Sequence, residues 1–184
     1  LYVTEDKSIR IQGRLSTLCW SLLQGCGLVL IVLGLFLRPK LAFWVLMGIP
    51  VSFAGGVLLM PWLGVTANIT SLFGFLIALG LVVDDAIITG ENIYSKVMDG
   101  ENPFEASVMG TKEVAVPVTF GALTTIIAFI PAYFIQGGIG PYAKQIPPIV
   151  GVVLLFSLIE SKLVLPYHLS LCKVGARKRE GMNI

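Results

Sequence analysis

Apolar residues fall into five long runs along this chain, at about 18–37, 41–62, 69–94, 114–135 and 148–171, with short polar stretches between them. Crossing hydrocarbon as a helix takes about 20 mostly apolar residues, and each run meets that length. Backbone groups in lipid must be bonded within the segment, so the runs are predicted to be helices. Breaks between them carry turn and cap chemistry. Arg38-Pro39-Lys40 ends the first run, Thr66-Ala67-Asn68 introduces the third, and Gln136-Gly137-Gly138-Ile139-Gly140-Pro141 follows the fourth. Pro50, Gly55 and Gly56 interrupt the second run, Pro117 and Pro131 the fourth, and Pro147-Pro148 opens the fifth. Such prolines mark hinges or simply aid packing. No connection is long enough to hold another domain. The pattern predicts an all-α fold, an integral membrane bundle of about five transmembrane helices, with an interfacial leader at 1–17 and a basic cytoplasmic tail at 173–184.

Composition points the same way. Hydrophobic residues make up 55% of the chain and charged residues 13%, where a soluble domain carries about 25% charged residues to solvate its surface. A surface so poor in charge must face lipid. The opening LYVTEDKSIR is polar, lacks an initiator Met and shows no signal-peptide pattern, so the segment is expected to continue a longer chain. Cys19, Cys26 and Cys172 are odd in number and lack metal-ligand spacing, which argues against a disulfide framework or a zinc site and leaves them as packing residues. The net charge of +2 gives no reason to expect a nucleic-acid partner. No nucleophile–base constellation, metal cluster or phosphate-cradling loop is present, so no enzyme activity and no cofactor are expected.

The basic residues assign an orientation. Arg38, Lys40, Lys96, Lys112, Lys173, Arg177, Lys178 and Arg179 share one side, against Lys144 and the leader's Lys7, Arg10 and Arg14 on the other. The richer side is expected to be cytoplasmic, which places the N-terminus outside and the C-terminus inside. The leader's basic residues oppose this assignment. Either a large extracytoplasmic domain precedes residue 1, since long translocated segments escape the charge rule, or the leader lies along the membrane surface.

Asp84 and Asp85 sit within the third run, in GLVVDDAIITGEN. An ionised carboxylate at helix centre costs about 2.5–3.5 kcal/mol on insertion scales, so an adjacent pair needs a compensating reason. Gly80, Leu81, Ile88 and Thr89 are its neighbours at helical spacing, and none is basic. Two carboxyls in a low dielectric can share one proton, which is what a proton relay requires. The plainer alternative is that they pair with a cation on another helix and only hold the bundle together. Asp85 continues a line of small residues through Gly74, Ala78 and Leu81, with Thr89 and Asn92 beyond, a stripe suited to close helix packing. Gly80 is a second candidate for such packing.

Glu91 and Glu160 are secondary candidates. Glu91 lies about 10 Å beyond Asp84 on the same side, either opening a watery approach or standing as a solvated helix-end carboxylate. Glu160 and Lys162, in SLIESKLVLP, point to roughly opposite sides of the fifth helix. Lys162 is expected to snorkel toward the headgroups, and Glu160 to meet a polar group of another helix or to line a cavity. His168, in LPYHL, is expected at the interface.

The stretch GIPVSFAGGVLLMPWLGVTANITSLFGFLIALGLVVDDAIITGENIY resembles the second to fourth transmembrane helices of a resistance–nodulation–division (RND) exporter permease. Its core is Gly80-x-x-x-Asp84-Asp85-Ala86-Ile87, with Glu91-Asn92 shortly after. The likeness continues through GENPFEASVMGTKEVAVPVTFGALTTIIAFIPAYF. With SLIESKLVLPYHL it resembles the multidrug, acriflavin-resistance-type subgroup that has this sixth-helix ending. It extends over roughly residues 10–172, which would be helices two to six of the first of two pseudo-repeated halves.

The resemblance implies a proton-driven antiporter of the bacterial inner membrane that exports drugs or other amphiphiles. Such a pump is a homotrimer that works with a periplasmic adaptor and an outer-membrane channel. It also implies that Asp84 and Asp85 are the proton-binding pair, with a lysine and hydroxyls normally supplied by the second half. The segment would then need the porter domain and the second transmembrane half, and would not transport alone. Other members of the superfamily export lipid, protein or metal; metal export would call for methionines along the route, and the five here form no stripe. A non-transporting five-helix sensory domain shares the helix set, but a sensor needs no titratable pair.

Overall fold

The computed structural model describes residues 39–171, and before them Gly13, Ser16, Thr17, Trp20, Leu23, Gln24, Gly25, Gly27, Leu28 and Ile31, all helical. Most of the expected leader at 1–17, most of the first run at 18–37, and the whole tail at 173–184 therefore lie outside the described residues.

Helix α1 spans Pro39–Leu59 and passes through Pro50 without a break. A turn at Gly64, with φ +66, leads to α2, Ile69–Met98. Asn68 caps α2: its side-chain oxygen accepts from the N–H groups of Thr70 and Ser71 at 2.8 and 2.9 Å, while Ser71 Oγ accepts from the Asn68 N–H at 2.8 Å. This reciprocal pattern satisfies donors that a helix start otherwise leaves open. The Asn68 amide also donates to Gln145 Oε1, tying the start of α2 to the residue before α5.

At about 1.5 Å per residue a helix of 30 residues is about 45 Å long, well beyond a hydrocarbon core of about 30 Å. Its C-terminal turns, bearing Glu91 and Lys96, thus project past the apolar layer. Gly100, φ +98, then reverses the chain. Asn102 caps α3, Pro103–Phe129, with Pro103 in its first turn. Helix α3 runs through Pro117, and Pro131 lies in the 3₁₀ turn Ile130–Phe134 that follows. After Gly137, φ +88, come the short α4, Gly140–Ala143, and α5, Ile146–Ile159. The π-helical turn Glu160–Val164 carries α5 into α6, Leu165–Leu171.

Among the described residues, four helical stretches are long and apolar enough to cross a membrane: Ala42–Leu59, Ile69–Met98, Pro103–Phe134 and Gly140–Leu171. Among the described residues the fold is helical throughout, without strands. Helix α3 begins well before the apolar run at 114–135, because hydropathy marks the lipid layer whereas Asn102-Pro103 marks the helix start. Its polar first turns, through Glu113, are helix beyond the lipid.

Helices α2 and α5 are central. Phe75, Ala78, Leu79, Val82 and Val83 of α2 meet Ile149, Val150, Val153 and Leu154 of α5, with Ile49 and Phe53 of α1 alongside. A second cluster joins Ala42 and Val45 to Ala86, Ile93, Leu165 and Leu169. Helix α3 stands at the edge, and its exposed Val116, Phe120 and Ile127 form an apolar outer surface. Small residues set the closest approaches: Gly55 faces the Phe156 ring, Gly56 faces Val153, and Gly74 faces Ile149. An added Cβ at Gly110 would stand 2.9 Å from Ile93 Cα and 3.0 Å from its N, so α3 there rests on the α2 backbone itself.

Main-chain atoms cannot step aside as a side-chain end can. Gly110→Ala is therefore expected to force α2 and α3 apart and to cost about 1–3 kcal/mol. Gly121→Ala, where nothing lies within 4 Å, should be neutral or slightly stabilising. Thermal unfolding of the two variants in detergent, followed by circular dichroism, checks this; equal midpoints would refute the tight contact.

Candidate functional site

Because α2 is continuous through its centre, Asp84 and Asp85 diverge by about 100°. Asp84 is exposed and Asp85 is half-buried. Asp85 Oδ2 is buried and has no hydrogen-bond partner among the described residues. A polar atom in that condition is costly unless something transient satisfies it. The charges of both Asp84 and Lys162 act on Asp85.

Lys162 departs from expectation. It does not run out to the headgroups. Partly buried on the π turn, it turns inward across the bundle, and its Nζ donates to Thr119 Oγ1 of α3. Thr119 in turn donates to Ala115 O at 2.5 Å. A basic residue of this same segment thus stands in the neighbourhood of the Asp pair. Spacing along one helix could not reveal it, since the approach comes from the far end of the chain. Thr119 had no signal at all: a threonine in an apolar helix ordinarily bonds its own backbone.

Beyond the pair, Thr89 is buried and its hydroxyl donates to Asp85 O at 3.1 Å. Asn92 donates to Gly110 O at 2.8 Å and to Glu113 Oε2 at 3.1 Å. Lys96 Nζ lies 2.7 Å from Glu113 Oε1. The Asn92 and Lys96 contacts hold the C-terminal part of α2 to α3. The small-residue stripe therefore serves two neighbours, with Gly74 and Ala78 against α5 and Asn92 against α3. Glu91 is exposed. Gly80 also lies on an exposed side, where an added Cβ would meet nothing within 4 Å, so the close packing expected there is not found among the described residues.

Glu160 occupies a different place. It is 3% exposed, and its carboxyl lies over the bare Cα of Gly48 on α1, in space a Cβ would fill. The His168 ring stacks on Trp44 of α1 with centroids 4.1 Å apart and planes 9° from parallel. No group of three or more His, Cys, Asp or Glu among the described residues is arranged to hold a metal ion.

Comparison with known proteins agrees with this architecture. The profile of the AcrB/AcrD/AcrF family matches residues 1–180. The multidrug resistance protein MdtC of Pectobacterium carotovorum subsp. carotovorum (strain PC1) is 34% identical over 167 residues, covering 90% of this chain and 16% of that relative. A protein of Haemophilus influenzae described as an uncharacterized transporter is 31% identical over 141 residues, covering 76% of this chain and 14% of its own length. The crystal structure of a heavy metal efflux pump superposes with a TM-score of 0.74 at 30% identity, covering 88% of this chain and 16% of that one. The chain thus spans about a sixth of the length of these relatives. The chain belongs to the AcrB/AcrD/AcrF family of RND exporters.

Proposed function

We propose that these residues form the proton-coupling membrane part of an RND efflux permease, in which inward proton flow through Asp84 and Asp85 drives export of drugs or other amphiphiles. The observation that carries this reading is Asp85 Oδ2, buried at the middle of a membrane helix without a hydrogen bond among the described residues, beside a second carboxyl and under the charge of Lys162. A proton on the pair removes its charge and leaves Lys162 to Thr119; loss of the proton restores a carboxylate that competes for the ammonium. Alternation between those two partners would convert proton binding into a shift among α2, α3 and the π turn. MdtC, named as a multidrug resistance protein, supports the choice of substrate class.

In this reading the complete permease supplies the porter domain and a second transmembrane half. It works as a homotrimer in the bacterial inner membrane with a periplasmic adaptor and an outer-membrane channel, and the turn between α2 and α3 faces the cytoplasm. Metal export is the second reading, favoured by the likeness to the heavy metal efflux pump. Against it, the described methionines form no stripe: Met47 and Met109 are exposed, and Met60 is buried among apolar side chains.

Asp84→Asn and Asp85→Asn keep shape and remove titration. In reconstituted vesicles the complete permease carrying either is expected to export no faster than vesicles holding residues 1–184 alone, which should not transport. Expression and oligomeric state should be unchanged. Wild-type rates in both variants would refute the relay.

Lys162→Met keeps length and loses charge. Export is expected to fall by about tenfold, equivalent to about 1.4 kcal/mol of lost stabilisation, and its pH profile to shift, whereas a purely structural lysine would leave the profile in place.

For orientation, a cysteine replacing Lys112 is expected to react with an impermeant thiol reagent only from the cytoplasmic side, and one replacing Lys144 only from the opposite side. The reverse pattern would overturn the topology.

A further inference from the structure

We propose that Glu160 is a second proton-binding site of this bundle, separate from the Asp pair and set in the seam between α1 and the π turn, which exchanges its proton when that seam opens. Helix α1 runs antiparallel to α5–α6, and the facing pairs descend in order: Trp44 with His168, Gly48 with Glu160, Gly55 with Phe156, Gly56 with Val153. This register puts Ser52 and Ser157 at the intervening level. Both are fully buried. Ser52 Oγ donates to Gly48 O at 3.1 Å, whereas Ser157 Oγ has no partner among the described residues. A lipid-depth seam that needed only to be packed would carry alanines or valines here. This one carries a carboxyl and an unsatisfied hydroxyl.

The charged groups around Glu160 do not neutralise it. On α1 the facing positions are Trp44, Gly48 and Ser52, none of them an acid or base. On α5 the neighbour is Ser157. On the π turn, Lys162 is engaged with Thr119 of α3. On α2 the acids Asp84 and Asp85 offer no neutralising charge, and Tyr94 packs in the cluster with Leu165 and Leu169. On α6, His168 is held in its stack on Trp44 and Tyr167 is exposed. No ion pair with Glu160 occurs among the described residues. The arrangement suits the neutral acid, and the charged form would need water or a cation to enter the seam.

The π turn supplies a way to open it. The N–H of Leu165 bonds to Glu160 O, five residues back, so this turn holds one residue more than an α-turn. Such insertions concentrate at functional sites, and their relaxation rotates the side chains on one flank. Relaxation here would swing Glu160 out of the Gly48 notch and turn Lys162 at the same time.

The test is labelling with dicyclohexylcarbodiimide, an apolar reagent that modifies protonated carboxyls. The acid O–H adds across one C=N bond, oxygen to the central carbon and proton to nitrogen. The O-acylisourea then rearranges to a stable N-acylurea without a further reactant. Complete permease in vesicles is labelled between about pH 5 and about pH 9, and the peptide containing Glu160 is quantified by mass spectrometry. Labelling is expected to fall by about tenfold or more across that range, and to do so equally in the Asp84→Asn/Asp85→Asn double variant. Absent or pH-independent labelling would overturn the proposal, as would suppression by sodium at constant pH, which would mark a cation site instead. Glu160→Gln, a shape match for the neutral acid, should assemble normally yet lose about tenfold in proton-driven export, with partial recovery in Glu160→Asp. Wild-type export by the Gln variant would also overturn it. Because the labelling needs no transport, it remains decisive even if the Asp pair proves not to be the relay.

Discussion

No water stands ready in hydrocarbon to bond a peptide group, so every N–H and C=O in the layer must find its partner within the protein. That constraint turns the apolar runs of this chain into helices, and it also gives its few polar side chains their meaning. A hydroxyl or carboxyl in such a place either bonds its own helix, bonds a neighbouring one, or stays unsatisfied at a cost. Thr89, Thr124 and Thr125 take the first course, each donating to the carbonyl four residues back. Lys162 takes the second, and Asn92 does the same just past the layer. Among the described residues of the layer, Asp85 Oδ2 and Ser157 Oγ remain in the third group, one in the Asp pair and the other close to Glu160.

Lipid tails are as apolar as leucine, so burial against another helix gains little by itself, and close packing must do the joining. The glycines show where it does. Gly48, Gly55 and Gly56 admit side chains of α5 and the π turn to the surface of α1, and Gly110 brings α3 onto the main chain of α2. Central α2 thus contacts α5 through interlocked apolar side chains and α3 through backbone proximity and a polar bracket. The contrast matters for coupling. An interface of side chains can repack in more than one way, while one resting on backbone atoms cannot.

Helical architecture was legible in the hydropathy runs because length and apolarity alone decide whether a segment can lie in lipid. Helix ends were legible only where caps are spelled out, as at Asn68; the start of α3 at Pro103 was obscured because its first turns are polar. The carboxylates stood out since charge is rare in apolar surroundings. Their environment did not. That Lys162 turns toward Thr119 and Glu160 toward Gly48 depends on how α5 is rotated against its neighbours, and that rotation is altered by a π turn for which ESKLV carries no distinctive residue. Gly80 shows the converse: a small residue in a helix reads as a contact, yet it also occurs where nothing approaches.

Asn68 divides its amide between two tasks, with its oxygen closing the start of α2 and its nitrogen reaching Gln145 beside the start of α5. At the opposite end, the ion pair of Lys96 with Glu113 binds α2 to a different helix. The longest described element is therefore pinned at its two extremities to two different partners. A rod held this way cannot slide along its axis without breaking one pin, but it can tilt about either. Displacement arising near its midpoint, where Asp84 and Asp85 stand, would be delivered to one neighbour or the other according to which fastening yields first.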